Sequence, residues 1–164
     1  MYLHPGLVDS LLKVVKDDNG AARVNAILAI CNIAFCVDNH VDMSNNSDLL
    51  SLLADVVNNG TSSEDSRCAA IAALAKIAES TSTAAALLTL NVLPAMMKAI
   101  TDAGQDLSKW GVDNSREGWA NIFFMNLAQA ANAVAPLRVE GVVELLSPLI
   151  NQDNRDALVA SATV

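Results

Sequence analysis

The stretch RVNAILAICNIA, residues 23–34, recurs as RCAAIAALAKIA at residues 67–78. The two copies share the opening Arg, Ala26-Ile27 matched by Ala70-Ile71, the Ala at 29 and 73, and the closing Ile33-Ala34 matched by Ile77-Ala78. A third version, EGWANIFFMNLA, occupies residues 117–128 and ends Asn126-Leu127-Ala128 where the first ends Asn32-Ile33-Ala34. Ahead of each copy runs an apolar residue, two others, a second apolar residue, two others, then an apolar pair. That spacing predicts one stripe along a helix. It occurs at Val8-Leu11-Val14-Val15, Leu50-Leu53-Val56-Val57, Leu93-Met96-Ala99-Ile100 and Val143-Leu146-Leu149-Ile150, with closing pairs 42, 43 and 50 residues apart. A period of this length belongs to helical solenoids, in which a unit cannot bury its apolar face alone and must stack on its neighbour.

The residues that carry the repeat resemble the armadillo family. NVLPAMMKAI (residues 91–100) is similar to the family's GALPALVQLL, with Pro94 in the first helical turn, where a missing N–H costs nothing. AILAICNIA (residues 26–34) is similar to ALWALSNIA. The resemblance implies an all-α fold, a right-handed superhelix of about three and a half repeats, with units near residues 1–36, 48–80, 81–130 and 135–164. In unit three the three-helix pattern predicts helices at 83–90, 93–101 and 115–133, the last opened by a capping box of Asn114 and Glu117. Unit one starts at its second helix and unit four stops inside its third, so the expectation is a piece of a longer array or a solenoid with unusual ends. Pro148, late in the second helix of unit four, predicts a bend or early stop.

Composition narrows the function classes. The chain of 164 residues is rich in apolar letters and poor in aromatics, and alanine fills the difference, as in closely packed helices. Ten Lys and Arg against a formal charge of −8 leave no basic footprint for nucleic acid. Residues 1–10, MYLHPGLVDS, lack a basic region followed by an apolar core, so no signal peptide is expected. The most apolar stretch, residues 84–100, is broken by Thr89, Asn91 and Pro94 and is too short to span a bilayer, so no membrane partner is expected. Cys31, Cys36 and Cys68 make an odd count without metal-type spacing, which favours a reducing compartment. The glycosylation acceptor pattern at Asn59-Gly60-Thr61 stands against this reading. The expected location is the cytoplasm, with the nucleus as the alternative.

Motifs of known chemistry are missing from the sequence: no phosphate-binding Gly-rich loop, nucleophile elbow, HExxH or complete EF-hand loop. DDNG at residues 17–20 lacks the further ligands of a calcium loop and reads as a turn between helices. Asp38, His40 and Asp42 alternate in a stretch read as a surface loop, residues 36–48, and a surface turn is expected there rather than a metal site. Further loops are expected at 58–65 and at 102–117, which carries Trp110. No cofactor and no catalytic residue are expected. Cys31 is expected to pack as a small apolar group and Cys36 to be partly exposed.

The candidate site follows from the resemblance. In armadillo proteins the third helices line a concave groove, and an Asn near the helix end hydrogen-bonds the main chain of an extended peptide. The matching positions are Asn32, Lys76 and Asn126. A side-chain amide offers donors and an acceptor and so can hold a backbone without reading its sequence. One turn earlier, where importin-α-like members carry Trp, stand Leu28, Ala72 and Ile122; without that ladder the stems of a lysine-rich signal lose their platform. Three residues before those come Asn25, Ala69 and Trp119, on the same helical face. A shallow apolar pocket flanked by amides is expected. The implied function is a non-catalytic scaffold for a protein or peptide partner. The alternative is a structural or regulatory segment of a larger protein, acting through its convex face and loops or as a homodimer through incomplete repeat ends, as in armadillo-type co-chaperones.

Overall fold

The computed structural model describes residues 6–18, 20–102 and 116–130, and among them every regular element is helical. Helix α1 spans Leu7–Asp17 and α2 Ala21–Ala34. A 3-10 turn at Val37–Asn39 leads into α3 (His40–Asn45), α4 (Ser47–Asn58) and α5 (Glu64–Ile77). A second 3-10 turn at Thr81–Thr83 leads into α6 (Ala84–Leu88), α7 (Leu93–Asp102) and α8 (Arg116–Ala128). After an opening pair, the order short, medium, long therefore occurs twice.

Local chemistry sets the helix starts. Gly6 precedes α1 with φ 86°, a left-handed conformation that a side chain would strain. Asn46 Oδ1 accepts from Leu49 N–H at 3.0 Å at the head of α4, and Ser63 Oγ accepts from Ser66 N–H at 3.2 Å at the head of α5. Between α1 and α2 the Gly20 N–H donates to Asp18 Oδ1 at 2.6 Å, a side-chain-to-backbone bond of the kind found in turns.

The medium helices are one-sided, whereas the long ones carry apolar residues on more than one face along their middle, a difference that decides where each sits. On α4, Leu50, Leu53, Val56 and Val57 are all buried, as are Leu93, Met96, Ala99 and Ile100 on α7. The long helices form a continuous layer in which α5 packs against α2 on one side and α8 on the other. Each long helix is also covered by the medium helix before it: α1 on α2, α4 on α5, α7 on α8. The short helix α3 packs on α5, α4 and α6, and Asn58 Nδ2 donates to Asn91 O at 2.7 Å, joining the end of α4 to the approach of α7.

Helices α2 and α5 each turn sharply into the next short one, by 102° and 108° respectively. Both corners are closed by side chains six residues downstream of a terminal carbonyl. Asn39 Nδ2 donates to Ile33 O at 3.0 Å, and the buried His40 donates from Nε2 to Ala34 O at 2.7 Å. At the second corner Thr83 Oγ1 contacts Ile77 O and Ser80 O, each at 2.7 Å. The last carbonyls of a helix have no intrahelical donor, and these side chains supply one.

These corners correct the reading of residues 36–48 as a surface loop. The segment is mostly helical, and His40 is fully buried, because its polar residues serve the preceding helix end. Asp38 and Asp42 are exposed while His40 points inward, and no group of three or more potential ligands forms among the described residues. The third helix of unit three stops at Ala128, with Gln129 in a turn, short of the expected 133. Asn114, Trp110, Pro148, the stripe from Val143 and the fourth unit at 135–164 lie outside the described residues. No single helix among the described residues is long and apolar enough to cross a membrane.

Candidate functional site

The outward faces of α2 and α5 form the walls of a cavity of about 430 Å³. From α2 come Val24, Leu28, Cys31, Asn32 and Phe35, and from α5 come Asp65, Cys68, Ala69 and Ala72; Trp119 of α8 completes the lining. The spacing of these residues, three, four and seven apart, is that of single helical faces. The long helices carry no wide polar face, so where α2 is uncovered it presents Leu28, 44% exposed, and its C-cap Phe35, 53% exposed. Opposite them Ala69 and Ala72 are small enough to leave space, and both are buried at the cavity floor.

One edge of the cavity is aromatic and cationic. Phe35 and Trp119 meet edge to face, with ring centroids 6.3 Å apart and planes at 88°. The Lys76 ammonium lies 4.6 Å from the Phe35 centroid and 5.7 Å from that of Trp119. It also donates to Glu79 Oε1 at 2.6 Å. At the opposite edge stands Asp65, exposed in the first turn of α5. Its neighbour Glu64 is engaged by Arg67 at 2.6 Å and by Arg116 Nε at 3.2 Å, a pairing that ties α5 to α8.

Both cavity thiols are poor nucleophiles at neutral pH. Burial pushes Cys31 up to about 11, partly opposed by the Lys76 charge. Burial does the same to Cys68, also to about 11, helped by the charges of Glu64, Cys31, Glu117 and Asp65. None of the three cysteines is in a disulfide; Cys31 is buried and Cys36 partly exposed.

Of the nine residues chosen from the sequence, Leu28, Asn32, Ala69, Ala72 and Trp119 line this one cavity, and Lys76 stands over two of its rings. Asn32 is exposed. Asn126 is half-buried and donates from Nδ2 to Ala75 O at 3.0 Å, so one of its amide donors bridges α8 to α5. Asn25 is exposed and Ile122 half-buried, and neither lines the cavity. Phe35 and Asp65 were not among the chosen residues. Their signal was present in the sequence: Phe35 lies seven residues beyond Leu28, and Asp65 four before Ala69, on the same faces. Comparison of the chain with family models, curated proteins and solved structures gave no match.

Proposed function

We propose that the chain is a right-handed superhelix of armadillo-like repeats and acts as a non-catalytic interaction scaffold, taking an extended peptide segment in the trough along α2 and α5. The observation that carries this reading is the cavity itself: an apolar floor of Ala69 and Ala72, an apolar wall of Leu28, and the exposed Asn32 amide at its rim. An apolar trough with a few placed polar groups is the ordinary form of a ligand site. The stacked long helices support the solenoid part of the proposal. The raised thiols support a binding role over a nucleophilic one.

Selection from a random seven-residue phage library against the immobilised chain tests the proposal. Peptides enriched on the wild type are expected to lose several-fold in affinity with Asn32→Ala, on the scale of one hydrogen bond. They should fail with Ala72→Leu, which fills the floor. Enriched peptides that bind both variants as well as wild type would place the site elsewhere, and a library yielding none would overturn the reading.

A second reading, self-association, draws on Leu7, Val14, Val37 and Val41, apolar side chains 42%, 37%, 62% and 49% exposed on α1 and on the corner after α2. Sedimentation equilibrium decides it. A concentration-dependent dimer that Val37→Asp with Val41→Asp dissociates supports it, and a monomer at all concentrations removes it.

A further inference from the structure

We infer that the trough reads charge at both of its ends: its occupant is an extended segment carrying a basic residue towards Asp65, an apolar residue over Ala69 and Ala72, and an acidic residue towards Lys76. This rests on the peptide-binding reading above and adds the chemistry of the partner. Asp65 is the charged residue in the cavity wall and takes part in no ion pair among the described residues. The neighbouring Glu64 is neutralised by two arginines. An exposed carboxylate beside an apolar floor suits a lysine or arginine, whose stem lies on the floor while its head reaches the charge.

The other end has the opposite character. Lys76 lies on the Phe35 and Trp119 rings and on Glu79, with its side chain 19% exposed, so its ammonium is held in place before any ligand arrives. Of its three N–H donors one goes to Glu79, and a ligand carboxylate can take another. The two cavity thiols register the same gradient: Cys31 feels the Lys76 charge, and Cys68 feels Glu64, Glu117 and Asp65. Asp65 and Lys76 are separated along α5 by about 16 Å at 1.5 Å per residue. An extended segment rising about 3.3 Å per residue covers about 13 Å of that with its charged residues four positions apart and the apolar one between them, and the reach of the two charged side chains supplies the rest.

Four fluorescein-labelled peptides test this by fluorescence anisotropy: a Leu flanked two residues away on each side by Lys and Glu, by two Lys, by two Glu, or by two Gln. Wild type should bind the mixed peptide about fivefold tighter than either like-charged one, since exposed charge pairs contribute modestly. Asp65→Lys should turn the preference to the all-acidic peptide and Lys76→Glu to the all-basic one. The milder Asp65→Asn and Lys76→Gln should each erase the discrimination at one end, with circular dichroism confirming an unchanged fold. The preference should weaken with added salt. Equal binding of the mixed and neutral peptides, or a rank order that the charge swaps leave untouched, overturns the charge reading and leaves peptide binding standing. Binding of no peptide by the wild type, including through occlusion by a second copy seen in sedimentation, overturns both.

Discussion

Helices α2 and α5 are written in nearly the same letters and yet differ in burial. In α5 every residue from Ala69 to Ala75 is buried, whereas α2 exposes Asn25 and Leu28 at the matching places, and exposes Asn32 where α5 has the half-buried Lys76. The cause is position: α5 lies between two long helices, while α2 has α5 on one side and no described long helix on the other. The side chains follow that difference. Where α5 has Ala69 and Ala72, α2 has Asn25 and Leu28, so the doubly covered helix uses small residues in the middle of the face where the less covered one is free to carry larger ones; nearer the helix end the order reverses, with Lys76 matching the smaller Asn32. The same contrast holds for the medium helices, since Val14 of α1 is 37% exposed and its counterpart Val56 of α4 is fully buried. A repeat in sequence thus specifies a helix and its register, and the neighbours decide which of its faces is wet.

The largest effects should come where the two helices agree. Ile27 and Ile71 are both buried, at 0% and 1% exposure. Ile27→Ala and Ile71→Ala should therefore each cost about 2–5 kcal/mol in urea denaturation. A much smaller loss for Ile27→Ala would break the equivalence of the two core faces. Ala29 and Ala73 occupy the same register but differ in cover, half-buried against fully buried. Ala73→Leu should cost about 1–3 kcal/mol by overpacking. Ala29→Leu should stay within about 0.5 kcal/mol. Equal costs would mean that α2 is as tightly enclosed as α5.

How much of this was legible follows from the physics of each element. The stripes of α4 and α7 were readable because apolar periodicity reports burial directly, and the long helices because one twelve-residue stretch recurs in the chain. Residues 36–48 were misread because Asp38, Asn39, His40, Asp42, Ser44 and Asn45 have loop composition, and composition does not reveal that Asn39 and His40 satisfy carbonyls of the preceding helix. At the site, spacing put Leu28, Asn32, Ala69 and Ala72 on shared faces. The seating of Lys76 on Phe35 and Trp119 brings three separate helices together, and no local pattern encodes such a meeting. Asn126 likewise turns to Ala75 O, a partner 51 residues away.

Smaller effects sharpen the comparison at the corners and at the thiols. Thr83→Val removes a buried hydroxyl of the second corner while keeping its shape, and should cost about 1–2 kcal/mol by taking away a buried hydrogen bond and leaving Ile77 O with only the Ser80 N–H at 3.4 Å. An unchanged midpoint would mean that water replaces the hydroxyl. Cys31 and Cys68, one from each helix, share the direction of their pKa displacement. Because the folded-state value, about 11, exceeds the ordinary 9.0, the stabilising contribution of each thiol is complete below pH 9 and is lost as pH rises towards 11. The thermal midpoint should fall across that window, and less steeply in a Cys31→Ala, Cys68→Ala variant. Parallel falls in both proteins would assign the loss to other groups.

The corner closures also bear on how the chain reaches its structure. Asn39 and Ile33, and Thr83 and Ile77, are six residues apart, so joining them closes only a short loop and forgoes little chain entropy. Each corner can set its angle before the long helices meet, in the time regime of local rather than long-range encounters. During synthesis, the turn after α2 has all of its parts by His40, before any residue of α5 has been made. The direction in which α3 leaves the first long helix is therefore decided by short-range chemistry, ahead of the packing that later holds it.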